Sequence, residues 1–194
     1  QDIAVEKLRQ VYIPSPERRL EQYPHEFSGG MRQRIIIAIS MLNNPKLIIA
    51  DEPSTALDVT IQAEIMDLFI ELCEQEHMGL ILITHDLAVV SETTEKIAVM
   101  YAGKIVEKGY TQDVVTNPQH PYTQGLIAAL PQEGKAAGTR LSQIPGTMPT
   151  LTSIPSGCSF HPRCPYRKDI CDQEPPALYR GQNPDGEVAC HLFA

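Results

Sequence analysis

The chain has 194 residues and combines 16 Lys and Arg with 24 Asp and Glu, which gives a formal net charge of -8. This balance is unfavourable for binding nucleic acid, because Lys and Arg contacts to phosphate supply most of the affinity, and it has the wrong sign for an anionic membrane surface. No apolar run approaches the roughly 18–20 residues of a membrane-spanning helix, so we expect any membrane association to go through a partner.

The first predicted element is the end of an amphipathic helix over residues 1–12, in which Val5, Leu8 and Val11 recur at helical spacing. Because the chain opens on Gln1, already in a helical pattern, we expect it to be a fragment. Three prolines follow, at Pro14, Pro16 and Pro24. They predict an irregular connector to the next helix.

That next helix is predicted to begin after Ser28-Gly29-Gly30. Serine is a favoured N-cap, and the two glycines let a ligand approach the free backbone N–H groups of a helix N-terminus, which is a common phosphate site. Most such sequences are nevertheless only caps. We expect the helix to reach Asn43-Asn44-Pro45, with burial of its isoleucine run compensating for a modest helix propensity.

Residues 47–50 are apolar and end abruptly in Asp51 and Glu52, after which Pro53 forbids the strand to continue. A short apolar run bounded by breakers predicts a strand of a parallel sheet, buried on both faces. Ligands of open α/β sheets bind just beyond the carboxyl ends of the strands, so the two acids are candidates to hold Mg²⁺ and a polarised water. The alternative is a solvated acidic pair.

A helix over residues 60–78 is predicted next, ending at Gly79. Its apolar stripe consists of Ile61, Ile65, Leu68 and Leu72. Residues 80–83 then predict a second buried strand, followed directly by Thr84-His85-Asp86. Strand, helix and strand form a βαβ crossover in which both strand ends lie on one sheet edge, so we expect His85 to lie near the two acids.

Four segments now stand in a fixed order: Ser28-Gly29-Gly30-Met31-Arg32-Gln33, Asp51-Glu52-Pro53, Ser54-Thr55-Ala56-Leu57-Asp58, and His85. In this order and spacing they resemble the signature motif, Walker B motif, D-loop and H-loop of ATP-binding cassette (ABC) ATPases. The resemblance implies that Asp51 holds Mg²⁺ through water, that Glu52 is the general base or orients the attacking water, and that His85 contacts the γ-phosphate. The implied reaction is phosphoryl transfer to water, in which positioning and charge neutralisation do most of the catalysis.

The resemblance also implies that the site is shared, because ABC sites form between two facing cassettes. The nucleotide-binding residues of the signature motif would be Ser28, Gly29, Gly30 and Gln33, which would cap ATP held on the opposing subunit. Asp58 would line the same interface.

One part of the family pattern is missing. A complete cassette has a Gly-x-x-x-x-Gly-Lys-Ser/Thr loop whose N–H groups and lysine cradle the phosphates. Gly134-Lys135 precedes Ala136 and lacks the first glycine, and Gly103-Lys104 precedes Ile105. The Q-loop glutamine would also precede residue 1. We therefore expect that this chain alone neither binds ATP tightly nor hydrolyses it.

Further along, residues 96–101 and 104–108 predict a hairpin around Ala102-Gly103. Three more elements follow: a short helix over residues 111–115, an apolar helix through Leu126, Ile127 and Leu130, and a linker or irregular wrapping segment over residues 131–157. Between the two helices stands His120-Pro121-Tyr122, by itself only a turn that leads into a helix.

This last segment and its surroundings resemble the C-terminal extension of the ATPase subunits of dipeptide, oligopeptide and nickel ABC importers. The resemblance implies peripheral attachment at the cytoplasmic face of the inner membrane and a role in peptide uptake. The implied partners are a second cassette, two membrane-spanning permease subunits and, indirectly, an extracytoplasmic peptide-binding protein, with no nucleic acid. The choice among dipeptide, longer peptide and nickel stays open.

Four cysteines, Cys158, Cys164, Cys171 and Cys190, follow a C-x5-C-x6-C-x18-C spacing near the end of the chain. Disulfides are rare in the reducing cytosol, zinc sites usually have closer cysteine pairs, and four thiolates also suit a [4Fe–4S] cluster. Similar tails of peptide-importer ATPases contain such a cluster, so the resemblance implies an iron–sulfur site, with Zn²⁺ as the alternative. Cys73 is expected to be a buried apolar residue.

The predicted fold class is α/β: the second half of a P-loop NTPase (RecA-like) parallel sheet, part of the ABC helical subdomain, and a small irregular cysteine-rich domain. The predicted segments are 1–45 (helical subdomain), 46–112 (catalytic core), 113–157 (extension and linker) and 158–194 (cysteine module). Two other functions are weighed against the importer: a non-transport ABC ATPase acting in translation or DNA repair, and an iron–sulfur or zinc sensor on an ATPase scaffold.

Overall fold

The computed structural model describes residues 2–55, 57–130 and 143–194. Ala56 of the D-loop and residues 131–142 of the predicted linker lie outside the described residues. The chain divides into two compact units, Gln1–Thr93 and Thr94–Ala194. The boundary between them falls inside the predicted catalytic segment 46–112. Among the described helices, none combines the length and apolar character needed to cross a membrane.

The first unit is built on a βαβ crossover. Its helices are α1 (Asp2–Gln10), α2 (Pro16–Arg19), α3 (Gly29–Ser40), α4 (Val59–Glu76) and α5 (Leu87–Thr93). The strands β1 (Leu47–Asp51) and β2 (Gly79–Ile83) pair in parallel, so that Leu47 lies opposite Gly79 and Asp51 opposite Ile83. Since α4 connects them, the predicted crossover is confirmed.

The core of this unit lies between α1, α3, α4 and one face of the two strands. It includes Val11, Ile37, Met41, Ile48, Ala50, Ile65, Leu68, Phe69 and Leu72. The stripe predicted on α4 is thus largely in the core, and Ile61 packs against it as a partly buried residue. The helical spacing of these residues predicts the buried face of α4 correctly.

The prediction that both strands are buried on two faces is wrong. Ile48 and Ala50 belong to the core, but Ile49 between them is 62% exposed, and on β2 Ile81 is also exposed. Successive side chains of a strand point to opposite faces, and α3 and α4 cover only one of them. The apolar run predicts the strand itself, but not how many layers cover it.

The isoleucine run of α3 is also less buried than predicted. Ile37 is in the core, whereas Ile36 and Ile39 are 58% and 60% exposed. With Leu42 they line an apolar groove of about 490 Å³ beside α1 and α2. The helix itself ends at Ser40, with Met41 as its C-cap, before the predicted Asn43-Asn44-Pro45 stop.

The end of α4 differs from the prediction as well. His77, not Gly79, is its C-cap and adopts a left-handed conformation, with φ of 53° and its N–H bonded to the carbonyl of Cys73. Gly79 instead begins β2, where a β-carbon would lie 3.2 Å from Leu47 Cδ1. The glycine therefore serves the close approach of the two strands.

The second unit contains an antiparallel sheet. Its strands are β3 (Lys96–Tyr101), β4 (Lys104–Tyr110), β5 (Tyr179–Arg180) and β6 (Glu187–Val188), in the spatial order β3-β4-β6-β5, and its helices are α6 (Thr111–Thr116) and α7 (Pro121–Ala129). The predicted β3–β4 hairpin is confirmed. Ala102 and Gly103 have φ of 46° and 78°, which suits the twist of a two-residue hairpin turn.

The cysteine-rich segment 158–194 is not a separate body, since it belongs to the same compact unit as the hairpin. It supplies β5 and β6, and β6 pairs with β4. Phe160 is buried, and its ring centroid lies 5.2 Å from that of Tyr101 and 5.5 Å from that of Tyr122. A segment this short cannot bury much apolar surface alone, so it shares the core of the hairpin and α7.

Candidate active site and cysteine cluster

Glu52 and His85 meet at the edge of the parallel strands, as the crossover predicts. The N–H of Glu52 donates to the carbonyl of Ile83 at 2.8 Å, which joins the ends of β1 and β2. Glu52 Oε1 lies 3.1 Å from His85 Nδ1. The His85 side chain is 80% exposed. A bound ligand could therefore reach both groups.

Glu52 is held by its own loop. Its φ of 44° is unusual for a residue with a side chain, and such backbone strain often occurs at functional sites. Thr55 Oγ1 donates to Glu52 Oε2 at 2.9 Å, and the N–H of Thr55 donates to the Glu52 carbonyl at 3.1 Å. The hydrogen bond from Thr55, followed by that from His85, lowers the pKa of Glu52. The side chain is therefore an ionised carboxylate at neutral pH, as a general base must be.

The loop that contains His85 is fixed by its neighbour Asp86. Asp86 Oδ1 accepts the N–H of Ala88 at 2.9 Å at the start of α5, and its own N–H donates to Thr84 Oγ1 at 3.1 Å. Gln62 Nε2 of α4 donates to Asp86 Oδ2 at 3.3 Å. These bonds connect the position of His85 to both flanking helices.

Asp51 is the last residue of β1 and is exposed at the same edge. In the described ranges its side chain has no hydrogen-bond or ion-pair partner, so both carboxylate oxygens are available to a cation or to water. Nowhere in those ranges do three or more His, Cys, Asp or Glu side chains converge closely enough to hold a metal ion by themselves. A magnesium ion beside Asp51 would therefore need water and phosphate oxygens as further ligands.

The signature and D-loop residues lie at two helix N-termini. Ser28 Oγ accepts the N–H of Met31 at 3.3 Å and caps α3, as predicted. Asp58 Oδ1 accepts the N–H of Ile61 at 3.0 Å and caps α4. Gln33 is half-buried about one turn into α3. Within the part of the chain that the structure describes, no hydrogen bond or ion pair joins the signature motif to Glu52 or His85.

The four cysteines of the second unit are free thiols that lie close enough to interact electrostatically. Burial raises the pKa of Cys158, Cys164 and Cys190, and electrostatic repulsion from the other thiols of the group raises it further. The N–H of Cys158 donates to the carbonyl of Cys171 at 2.7 Å. Their side chains are not among groups close enough to hold a metal ion in the described ranges. The thiols are therefore neighbours, but their sulfur atoms do not converge on one common centre that could hold a metal ion.

The two histidines next to these cysteines bind backbone carbonyls. His161 Nδ1 lies 2.9 Å from the carbonyl of Cys158, and His191 Nε2 lies 2.9 Å from that of Glu174. Lys168 Nζ donates to the His191 carbonyl at 3.1 Å. These contacts give both histidines a structural role.

Sequence reasoning missed the residues that orient Glu52 and His85. Thr55, Gln62 and Asp86 each donate or accept a hydrogen bond that positions one of these two, yet none was assigned a role. For Thr55 a signal existed, because it stands three residues after Glu52 and can close a turn on it. No such sequence signal existed for Gln62, because only the folded crossover brings α4 beside the loop after β2.

Comparison with known families agrees with this fold and site. Residues 2–55, which include the signature and Walker B motifs, match the ABC transporter family. This part of the chain therefore belongs to an ABC transporter ATPase domain. More particularly, residues 106–171 match the family described as oligopeptide/dipeptide transporter, C-terminal region, so the chain contains that region as well.

Curated relatives point the same way. The chain is 51% identical over 193 residues to the dipeptide transport ATP-binding protein DppD of Haemophilus influenzae, with 98% of this chain and 57% of that protein covered. It is 53% identical to DppD of Escherichia coli over 175 residues, 90% of this chain and 53% of that protein. The chain thus spans about half the length of these relatives.

Solved structures of ABC proteins share the fold. The structure of cbiO1 from Clostridium perfringens, part of the ABC transporter complex cbiONQ, superposes with a TM-score of 0.53 at 28% identity, covering 60% of this chain and 45% of that one. The ADP conformation of MJ1267, an ATP-binding cassette of an ABC transporter, gives a TM-score of 0.55 at 22% identity, covering 63% and 48%. The second match supports the fold alone.

Proposed function

We propose that this chain is part of the ATP-hydrolysing subunit of an ABC importer that powers uptake of di- or oligopeptides across the cytoplasmic membrane. The observation on which this proposal depends is the 3.1 Å contact between Glu52 and His85 at the carboxyl edge of β1 and β2. The match of residues 106–171 to an oligopeptide/dipeptide transporter region supports the substrate class, as do relatives named for dipeptide transport.

In the proposed reaction, water attacks the γ-phosphorus of ATP, the bond to the bridging oxygen of ADP breaks, and the proton of the water passes to Glu52. Each carboxylate oxygen has one partner, Thr55 or His85, and keeps a further lone pair that can accept the hydrogen of the attacking water. His85 would then turn to the γ-phosphate. Asp51 would hold Mg²⁺ through water, and the bound cation would neutralise phosphate charge.

The signature residues Ser28, Gly29, Gly30 and Gln33 would face ATP on a second cassette, and Asp58 would line the shared interface. The capped N-terminus of α3 supports this role, because it presents free N–H groups and a partial positive charge. The 194 residues contain no Gly-x-x-x-x-Gly-Lys-Ser/Thr loop. We therefore expect this chain by itself to hydrolyse no ATP, and to act with a second cassette and two membrane-spanning permease subunits as a peripheral protein.

Glu52→Gln in the intact ATPase subunit tests the proposal. We expect ATP turnover and peptide uptake to fall by about 10²–10⁴-fold, the usual contribution of a positioned general base. Glu74→Gln on the exposed face of α4 is the matched control and should leave both unchanged. Uptake that survives Glu52→Gln would instead favour the sensor function, and co-purification with ribosomes or DNA would favour a non-transport ATPase.

We further propose that Cys158, Cys164, Cys171 and Cys190 hold a [4Fe–4S] cluster, with Zn²⁺ as the alternative. The support is chemical: four free thiols lie near one another, and burial raises the pKa of Cys158, Cys164 and Cys190, so a cation would be needed to keep these three as thiolates. Because they are not converged, binding would have to draw the loops together, so ligation would contribute to folding.

Anaerobic purification with iron, sulfide and zinc analysis tests the cluster. We expect about four iron and four sulfide per chain, the composition of such a cluster. Cys158→Ser should lose both, and Cys73→Ser in the other unit is the control that should keep them. Zinc without sulfide in a fresh anaerobic sample would overturn the choice of metal.

A further inference from the structure

The two signature glycines lie against residues that follow the D-loop of the same chain. A β-carbon on Gly30 would lie 2.8 Å from Ile61 Cγ2, and one on Gly29 would lie 3.3 Å from Leu57 Cδ2. Leu57 Cδ2 is the end of a flexible side chain and can move aside. Ile61 Cγ2 is bonded directly to the β-carbon of a stiff, β-branched side chain, so it cannot. Residue 30 therefore has no room for a side chain.

The N-termini of α3 and α4 lie at this contact. Ser28 caps α3 and Asp58 caps α4, and the N–H that Asp58 accepts belongs to Ile61. Ile61 thus has its backbone in the first turn of α4 and its side chain on Gly30. Both Leu57 and Ile61 also pack against the core of the unit. The signature loop and the start of α4 are therefore one packed body.

We infer that Ile61 is a positioning residue for the signature motif: its Cγ2 methyl sets the backbone position of Gly30 and the N–H groups presented there. Glycine at this position is then required by a neighbour within the chain, and not only by the approach of a nucleotide. The contact stands on the structure alone, whereas its consequence for turnover rests on the proposed function.

A double-mutant cycle on the stability of this chain, without nucleotide, tests the contact. Alanine is a better helix former than glycine, so without a clash Gly30→Ala would stabilise α3. With the clash, we expect the melting temperature to fall by about 4–8 °C. In the Ile61→Ala background this fall should vanish, because the obstructing methyl is gone. Ile61→Val keeps that methyl and is the matched control, in which the fall should persist. A fall of equal size in all three backgrounds overturns the inference.

Turnover in the intact ATPase subunit, paired with a second cassette, tests the positioning role. We expect Gly30→Ala to lower kcat by about 10²-fold, because donors aimed at a transferring phosphoryl group are displaced. Adding Ile61→Ala should restore kcat to within about threefold of Ile61→Ala alone, and adding Ile61→Val should not. A double variant that regains stability but stays inactive would show that the alanine methyl blocks the nucleotide directly, and would overturn the positioning role.

These outcomes are separable from failure of the proposed function. A wild-type subunit that hydrolyses no ATP would refute the proposed function, while the stability cycle would still decide whether Ile61 fixes Gly30.

Discussion

The buried carboxylate of Glu107 on β4 accepts the backbone N–H of His120 at 2.9 Å, across thirteen positions of the chain. Its other oxygen accepts the N–H of Gln119 at 2.8 Å. His120 Nδ1 in turn accepts the N–H of Tyr122 at 3.0 Å, and Pro121 occupies the first turn of α7. The His-Pro-Tyr turn is therefore the N-terminal anchor of α7, joined to the sheet by a carboxylate.

Glu107→Gln should destabilise the chain. The amide NH₂ would face one of the two backbone donors, leaving a buried N–H unpaired at a cost of about 1–3 kcal/mol. Urea unfolding at pH 7 measures this. Glu187→Gln on β6 is the control, because its ion pair with Lys108 is exposed and should contribute under about 1 kcal/mol. Equal losses from the two changes would contradict the anchoring role of Glu107.

Stability should depend on pH through His120. Burial lowers the pKa of His120 to about 4, whereas an unfolded histidine titrates near about 6.5. Between these values the unfolded state binds more protons, so the free energy of unfolding rises with pH, by about 3 kcal/mol in all. This contribution is complete above pH of about 6.5 and is lost as the pH falls towards about 4.

His120→Asn separates this effect from other titrations. Asparagine can accept the same N-cap hydrogen bond but does not titrate. Unfolding measured from pH 4 to 7 should therefore show a flatter dependence in the variant than in the wild type. If the slope is the same in both, His120 is not its source.

Thr55→Val should change the pH profile of ATP hydrolysis in the intact subunit. The hydrogen bond from Thr55 is the largest cause of the lowered pKa of Glu52. Removing it raises that pKa, so the acid limb of kcat against pH should move to higher pH, while the plateau stays close to that of the wild type. Thr60→Val, at an exposed position of α4, is the control. An acid limb that does not move would show that Thr55 does not act through Glu52.

Gly157→Ala should be far more damaging than Gly103→Ala, although both glycines have positive φ. At Gly103, with φ of 78°, an added β-carbon would have no atom within 4 Å among the described residues beyond its chain neighbours, and we expect only the conformational cost of about 1–2 kcal/mol. At Gly157, with φ of 66°, the β-carbon would lie 2.5 Å from the carbonyl oxygen of Cys171. This overpacking should add about 1–3 kcal/mol in denaturant unfolding. Similar costs at both positions would contradict the close packing of Gly157 on the Cys171 loop.

Local patterns predicted the elements with a clear periodicity or a strong breaker. Ser28 caps α3, the apolar stripe places α4 in the core, and Ala102-Gly103 turns the hairpin, because each depends on neighbours along the chain. The Glu52–His85 contact was also predictable, since the crossover rule brings two strand ends to one edge.

Properties that depend on distant segments were not predictable in this way. The exposure of Ile36 and Ile49 reflects how many layers cover an element, which no local pattern encodes. The membership of β4 and β6 in one sheet joins residues about eighty positions apart, so the cysteine segment seemed independent when it is not.

By itself the sequence determined the helices and strands with clear periodicity, which side chains stand at the ends of β1 and β2, and that Glu52 and His85 meet at one sheet edge. Tertiary structure alone decided that Ile61 closes the space at Gly30, that Glu107 anchors the His-Pro-Tyr turn, and that the cysteines share a core with the hairpin. The physical reason is that periodicity and capping act over a few bonds, whereas packing and buried hydrogen bonds depend on atoms that only the folded chain brings together.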